Sequence, residues 1–201
     1  MRQHFSFISL IFCINLLFTL TVSGESSPEY VEKIHADIVK VVKEKQSVYI
    51  ENPDEFIDAI SSSLQPLVDF KRISRNVMGK HYKLATKDQI MRFTEVFERS
   101  LLRTYSKTLA EFKDEEIIVS PESMKSSKSK KEKVFLKIVT STKVYPATYD
   151  MYLNENGKWK LINIVINGVN LGLTFRNQFY SLMKTEDNDM DVVIDKWITS
   201  I

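Results

Sequence analysis

The hydrophobic pattern of this chain changes its period once, near residue 115, and that change restricts the folds open to it. Before it, apolar residues recur every three or four positions, the spacing of helices with one buried stripe. After it they alternate, as in strands with one buried face. Val31, Ile34, Ile38, Val41, Val42 and Val48 form the stripe of a first helix, which Asn52-Pro53 ends. Phe56, Ile57, Ile60 and Leu64 carry a second, with Pro53 in its first turn. Ile73, Val77 and Met78 mark a short third, closed by Gly79 as its C-cap. The fourth is the longest. Thr86 and Gln89 form a capping box, and Ile90, Phe93, Phe97, Leu101, Tyr105, Leu109 and Phe112 line one face as far as about residue 113. At about 1.5 Å per residue such a helix approaches 40 Å. Arg92, Glu95, Arg99 and Arg103 occupy its opposite, wet face.

The second half reads as strands over residues 117–120, 134–141, 147–153 and 158–166, with a polar loop at 121–133. Asn156-Gly157 predicts a hairpin with a two-residue loop. That loop would pair Met151 with Ile162 and Tyr149 with Ile164. Tyr149, Met151, Leu153, Ile162, Ile164 and Ile166 then share one face, joined by Val134, Leu136 and Ile138 of the preceding strand. Thr148, Asp150, Tyr152, Leu161, Asn163 and Val165 take the other. A slip of one residue would exchange the faces. Gly168 ends the last strand, and a helix follows with Leu171, Gly172, Phe175, Phe179, Leu182 and Met183 as its stripe. A last amphipathic segment over 189–201 carries Met190, Val193, Ile194, Trp197 and Ile198. Helices gathered first and an antiparallel meander after them predict an α+β domain, its helices on one face of a curved sheet.

Ahead of the first helix stands an export signal. Arg2 precedes an apolar run from Phe5 to Val22, and Val22-Ser23-Gly24 offers small residues for cleavage before the chain turns polar at Glu25. Residues 1–24 are expected to be removed, leaving one domain over 25–201. An uncleaved anchor is the alternative, since the run approaches the length that spans a bilayer. The sole cysteine, Cys13, lies inside the run, so the exported domain must be held by its core without disulfides. The signal holds one of the 28 basic residues and none of the 26 acidic ones, leaving residues 25–201 within one charge of neutrality. No global field draws such a chain to nucleic acid.

Catalytic patterns are absent from the sequence. His35 and His81 lie at no metal-ligand spacing from a second ligand, and there is no nucleophile elbow and no P-loop. Gly79, Gly157, Gly168 and Gly172 are accounted for as a cap, a turn and helix joins. The chain is therefore read as a non-enzyme without metal or cofactor. Lys125, Lys128, Lys130, Lys131 and Lys133 form a run that is either a docking patch for anions or a solvated loop, and interleaved serines favour the loop. Periodicity does not separate a filled core from a ligand box along the Phe93–Tyr105 stripe. An exported interaction protein with a filled core, or a small isomerase or hydrolyase, stays open on these grounds.

Two stretches narrow the choice. The first is Val68-Asp69-Phe70-Lys71-Arg72-Ile73-Ser74-Arg75-Asn76-Val77-Met78-Gly79-Lys80-His81-Tyr82, followed by Gln89, Phe93, Phe97, Leu101, Tyr105 and Leu109. The second runs from Trp159 through Ile166, Gly168 and Leu171 to Phe175-Arg176-Asn177-Gln178-Phe179. In this order, after a signal, they resemble the MlaC family, the toluene-tolerance auxiliary proteins. Tyr82, Asn163, Asn170 and Phe175 stand where that family usually has Trp, Asp, Ser and Tyr. The resemblance implies a cystatin-like or nuclear-transport-factor-like fold with an apolar cavity. It implies a periplasmic carrier that buries the two acyl chains of a phospholipid and leaves the headgroup in water. It also implies exchange between an outer-membrane lipoprotein–porin complex and an inner-membrane ABC transporter, maintaining outer-membrane lipid asymmetry. Combined with the apolar faces above, it makes Phe93, Phe97, Leu101, Tyr105, Leu136, Ile138, Tyr149, Met151, Ile162, Ile164, Val169 and Phe175 the expected lipid-binding residues. The physics agrees. A two-chain lipid exposes about thirty methylenes at about 0.8 kcal/mol each, on the order of 25 kcal/mol that a carrier must offset by burial.

Overall fold

Helix starts in this chain are encoded by short side chains that cap them. The computed structural model describes residues 25–111, 115–127 and 130–197; the expected signal over 1–24, and Phe112, Lys128 and Ile198, lie outside these. Ser26 and Glu29 form a capping box that opens α1 (Ser27–Glu51), with Pro28 in its first turn. Asn52 closes α1 through its backbone N–H on the Val48 carbonyl, and its side chain accepts from Glu55 N to open α2 (Pro53–Leu64). Asp69 caps α3 (Phe70–Met78). Thr86 and Gln89 exchange both bonds of the predicted capping box at the start of α4 (Lys87–Ala110). Asn170 caps α5 (Leu171–Thr185), and α6 (Met190–Trp197) follows. Gly79 ends α3 at φ +53°, and a Cβ there would sit 2.2 Å from the Tyr180 hydroxyl oxygen, which accepts the Lys80 N–H. No other residue fits that close approach.

The strands are β1 (Glu116–Lys125), β2 (Lys131–Val139), β3 (Val144–Leu153), β4 (Trp159–Ile166) and the two-residue β5 (Val169–Asn170). They form one antiparallel sheet in the order β1-β2-β3-β4-β5. The predicted polar loop at 121–133 is mostly strand. β1 runs on through Pro121 because it is an edge strand and its register shifts between Val119 and Ser123. The described lysines there belong to a hairpin, and two of them have acidic partners. Lys133 meets Asp150 at 2.5 Å, and Lys125 stands 4.0 Å from Glu132.

The β3–β4 hairpin corrects the predicted register in an instructive way. Its loop has three residues, 155–157, with Gly157 at φ +70°, not two. Asn154 closes it: its N–H donates to the Lys158 carbonyl, and its side-chain oxygen accepts from the N–H groups of Asn156 and Lys158. Leu153 therefore pairs with Trp159 and Met151 with Leu161, one residue off expectation. A bulge between Asp150 and Met151 then takes up one residue, and from Asp150↔Asn163 onward the register is the predicted one, with Tyr149 opposite Ile164. Leu161, expected on the wet face, is thereby turned into the core, and Ile162 is displaced from the position opposite Met151.

Three apolar clusters form the interior. Under α1, Val31 and Ile34 pack on Val134, Leu136, Ala147, Met151 and Leu161 of the sheet, together with Leu67. Among α3 to α6, Val77, Phe93, Phe97, Phe175, Phe179, Ile194 and Trp197 form an aromatic core. Between α1, α2 and α4, Val42, Phe56, Ile57, Ile60 and Leu102 form the third. The segment joining α2 to α3 runs beside β4, where Leu67 O accepts from Leu161 N and Leu161 O accepts from Asp69 N.

Candidate functional site: an apolar cavity

Where the three clusters meet, the packing leaves a cavity of about 310 Å³. Its wall takes Leu67 and Leu161 from the first cluster, Phe97 and Phe175 from the second and Leu102 from the third. Helix α1 adds His35, Ile38 and Val39; the α2–α3 segment adds Leu64, Val68, Phe70 and Ile73. Helix α4 adds Leu101, Tyr105 and Leu109, and Ile117, Tyr149, Asn163, Ile164, Leu171 and Gly172 complete it. Among the described residues no Asp, Glu, Lys or Arg lines it. Many of these side chains, Ile38, Leu64, Ile73 and Leu101 among them, are only half-buried. Tyr105, 47% exposed, carries the wall out to solvent.

The cavity brings together Phe97, Leu101, Tyr105, Tyr149, Ile164 and Phe175 of the residues expected from sequence. The others stand elsewhere. Phe93 is fully buried in the aromatic core, its ring 4.8 Å from Phe179 and 5.3 Å from Trp197 between centroids. Leu136, Ile138 and Met151 share the inner sheet face but pack in the cluster beneath α1. Ile162, displaced by the bulge but still buried, lines two other recesses that also include Asp150. Val169 on β5 is exposed. Sequence reasoning missed the α1 wall and the Leu64–Ile73 segment. Ile38 and Leu64 were legible as stripe residues. Nothing local says that their helices border a void, because that is a relation between elements distant in sequence.

Two polar features interrupt the apolar wall. His35 Nε2 and the Tyr149 hydroxyl are 3.1 Å apart, with the rings edge to face at 86°. Burial pulls the His35 imidazole down to about 4 and pushes the Tyr149 phenol up to about 12, so both are neutral near pH 7. The second is Asn163, whose amide donates to Asp150 at 2.9 Å while its oxygen accepts the Gly172 N–H at 3.0 Å. An aspartate at 163 would set two carboxylates side by side; the amide satisfies both neighbours. Gly172 is required here, since a Cβ would fall 2.5 Å from the Asn163 oxygen. Among the described residues no group of His, Cys, Asp or Glu is placed to hold a metal ion.

The fold and this cavity define a class: α+β domains with an apolar cavity between helices and an antiparallel sheet. Within it, the chain belongs to the MlaC family, whose model, described as MlaC protein, matches residues 32–199. The chain is 35% identical over 180 residues to the toluene tolerance protein ttg2D of Pseudomonas putida, covering 89% of this chain and 82% of that one. Its fold is similar to that of the phospholipid-binding protein from Ralstonia solanacearum, solved in complex with a phospholipid. The TM-score is 0.78 at 22% identity, over 87% of this chain and 97% of the other.

Proposed function

We propose that this protein is a non-catalytic phospholipid carrier that encloses acyl chains in the cavity beneath α1 and α4 and carries the lipid through water. The observation that supports this reading best is the wall itself: aliphatic and aromatic side chains from helices and sheet, with no charged group among them. An acyl chain there exchanges water for apolar contacts, at about 0.8 kcal/mol per methylene buried. The family membership and the phospholipid-bound Ralstonia relative support the same ligand class. At about 310 Å³ the cavity lies at the lower end of the usual range for ligand sites. A two-chain lipid exceeds this volume, so taking up both chains requires the lining helices to part from the sheet.

The carrier works in the periplasm, exported by residues 1–24 and cleaved to begin at Glu25. It takes lipid from and delivers it to complexes in the outer and inner membranes, and so maintains outer-membrane lipid asymmetry. The test is to express the full chain, purify the exported protein without detergent, extract it with organic solvent and analyse the extract by mass spectrometry. Phospholipid near one molecule per protein is the expected result. A lipid-free protein that also takes up no phospholipid from vesicles overturns the reading and leaves an exported interaction protein.

A further inference from the structure

His35 and Tyr149 face each other on the cavity wall, from α1 and β3, and between them they have one hydrogen more than the protein uses. A neutral imidazole carries a single N–H. His35 is 7% exposed, and its Nδ1 has no partner. If the hydrogen sat on Nδ1 it would be a buried donor without an acceptor, the rarer and costlier fault in folded proteins. With the hydrogen on Nε2, the ring donates to the Tyr149 oxygen at 3.1 Å, and only a lone pair is left bare at Nδ1. The phenol hydrogen must then find another acceptor. Among the described residues His35 is the one protein group within hydrogen-bonding distance of the Tyr149 hydroxyl. Tyr149 lines the cavity and is half-buried. A water placed beside it would meet few of the polar partners a buried water needs, because among the described residues Asn163 and Tyr105 are the only other polar side chains on the wall.

The acceptor is therefore to be supplied by the ligand. It must be uncharged, since no cation on the wall offsets the desolvation of a phosphate or carboxylate. In a phospholipid the neutral acceptors joined directly to the chains are the ester carbonyls. Tyr149 lines the same cavity as the exposed Tyr105. We propose that the Tyr149 hydroxyl, held by His35, donates a hydrogen bond to an ester carbonyl of the bound lipid, so that the site prefers ester-linked to ether-linked chains. This rests on the phospholipid reading above. Tyr149 touches the ligand; His35 is a positioning residue that acts through it.

The delipidated full-length mature protein is offered mixed vesicles of a diacyl phosphatidylglycerol and the dialkyl ether lipid of the same headgroup and chain length. The bound ratio is read by mass spectrometry. A neutral hydrogen bond is expected to favour the ester lipid about three- to tenfold. Tyr149→Phe should abolish that preference, bringing the bound ester-to-ether ratio to that of the vesicles. The double variant His35→Leu with Tyr149→Phe, which leaves no N–H unpaired, should do the same at a near wild-type melting temperature. Equal uptake of the two lipids by the wild type, or a preference that survives in both variants, overturns the proposal. Uptake of neither lipid by the wild type overturns the phospholipid reading along with it.

Discussion

The two halves of α4 present the same kind of face to very different surroundings. In the first half Phe93 and Phe97 are sealed against Phe175, Phe179 and Trp197, with ring centroids between 4.8 and 6.1 Å apart across the group. In the second half Leu101, Tyr105 and Leu109 border a void. The difference is made by what lies opposite. Helix α6 brings Val193, Ile194 and Trp197 against the first half, and Arg92 straps it there through Asp191 at 2.6 Å and Asp195 at 2.9 Å. The second half is flanked by α2, where Arg99 reaches Asp54 and Asp58 and Arg103 reaches Asp54. The predicted wet face of α4 thus ties the helix to its neighbours. Its apolar face is core at one end and container wall at the other, and Phe97 stands at the junction.

Phe97→Asp is the most damaging way to probe that junction. Phe97 has no exposed surface, so the carboxylate would be buried and unpaired at a cost of about 3–5 kcal/mol. Its thermal transition should fall steeply or vanish; a variant as stable as the wild type would place Phe97 on a yielding wall instead. The next effect belongs to His35. Its folded-state value near 4 lies below the ordinary value of 6.5, so the unfolded chain takes up a proton more readily. Stability is complete above about pH 6.5, declines as the pH falls, and has lost about 3 kcal/mol by about pH 4. Urea titrations along this range should show the loss in the wild type and a flatter profile in His35→Leu. A residue of the slope is expected to remain from His81, which burial and then Lys80 shift in the same direction.

Leu101→Asp should separate the halves most cleanly. One turn beyond Phe97, half-buried on the cavity wall, it can hydrate its charge when lipid is absent. The delipidated protein should lose less than about 1 kcal/mol, within the range of surface substitutions and little more. Co-purified lipid per mole should drop sharply. Folded protein with undiminished lipid would remove Leu101 from the site. Arg99→Ala is expected to have the smallest effect. Its partners are mostly solvent-exposed, so the melting temperature should move by less than about 2 °C, and the change should shrink further in high salt.

The helices were legible in the sequence because their signals are local. Ser26, Asn52, Asp69, Thr86 and Asn170 cap the backbone within three residues of themselves, and a stripe repeats within two turns. The inner sheet face was legible in part. Tyr149 and Ile164 were placed opposite each other, and Leu136, Ile138 and Met151 on their side. That placement held for Tyr149 because two departures cancelled: a loop one residue longer than Asn156-Gly157 predicts, and a bulge that removes the offset. Between them Leu161 took a place on the cavity wall and Ile162, still buried, did not, and neither residue carries a mark of it, both being β-competent aliphatics.

The sequence by itself determined which side of each element would turn inward, since periodicity follows from the backbone repeat of a single segment. It also supplied the uncharged composition of those sides, and with it the class of ligand a void among them would suit. The tertiary structure alone decided where the inward sides meet solidly and where they do not. Whether Leu101 faces Trp197 or an opening depends on how α1, α2, α4, α5 and the sheet converge. The same convergence brought His35 within 3.1 Å of Tyr149, 114 residues away. A cavity is what several packed surfaces leave between them, and no one of them encodes it.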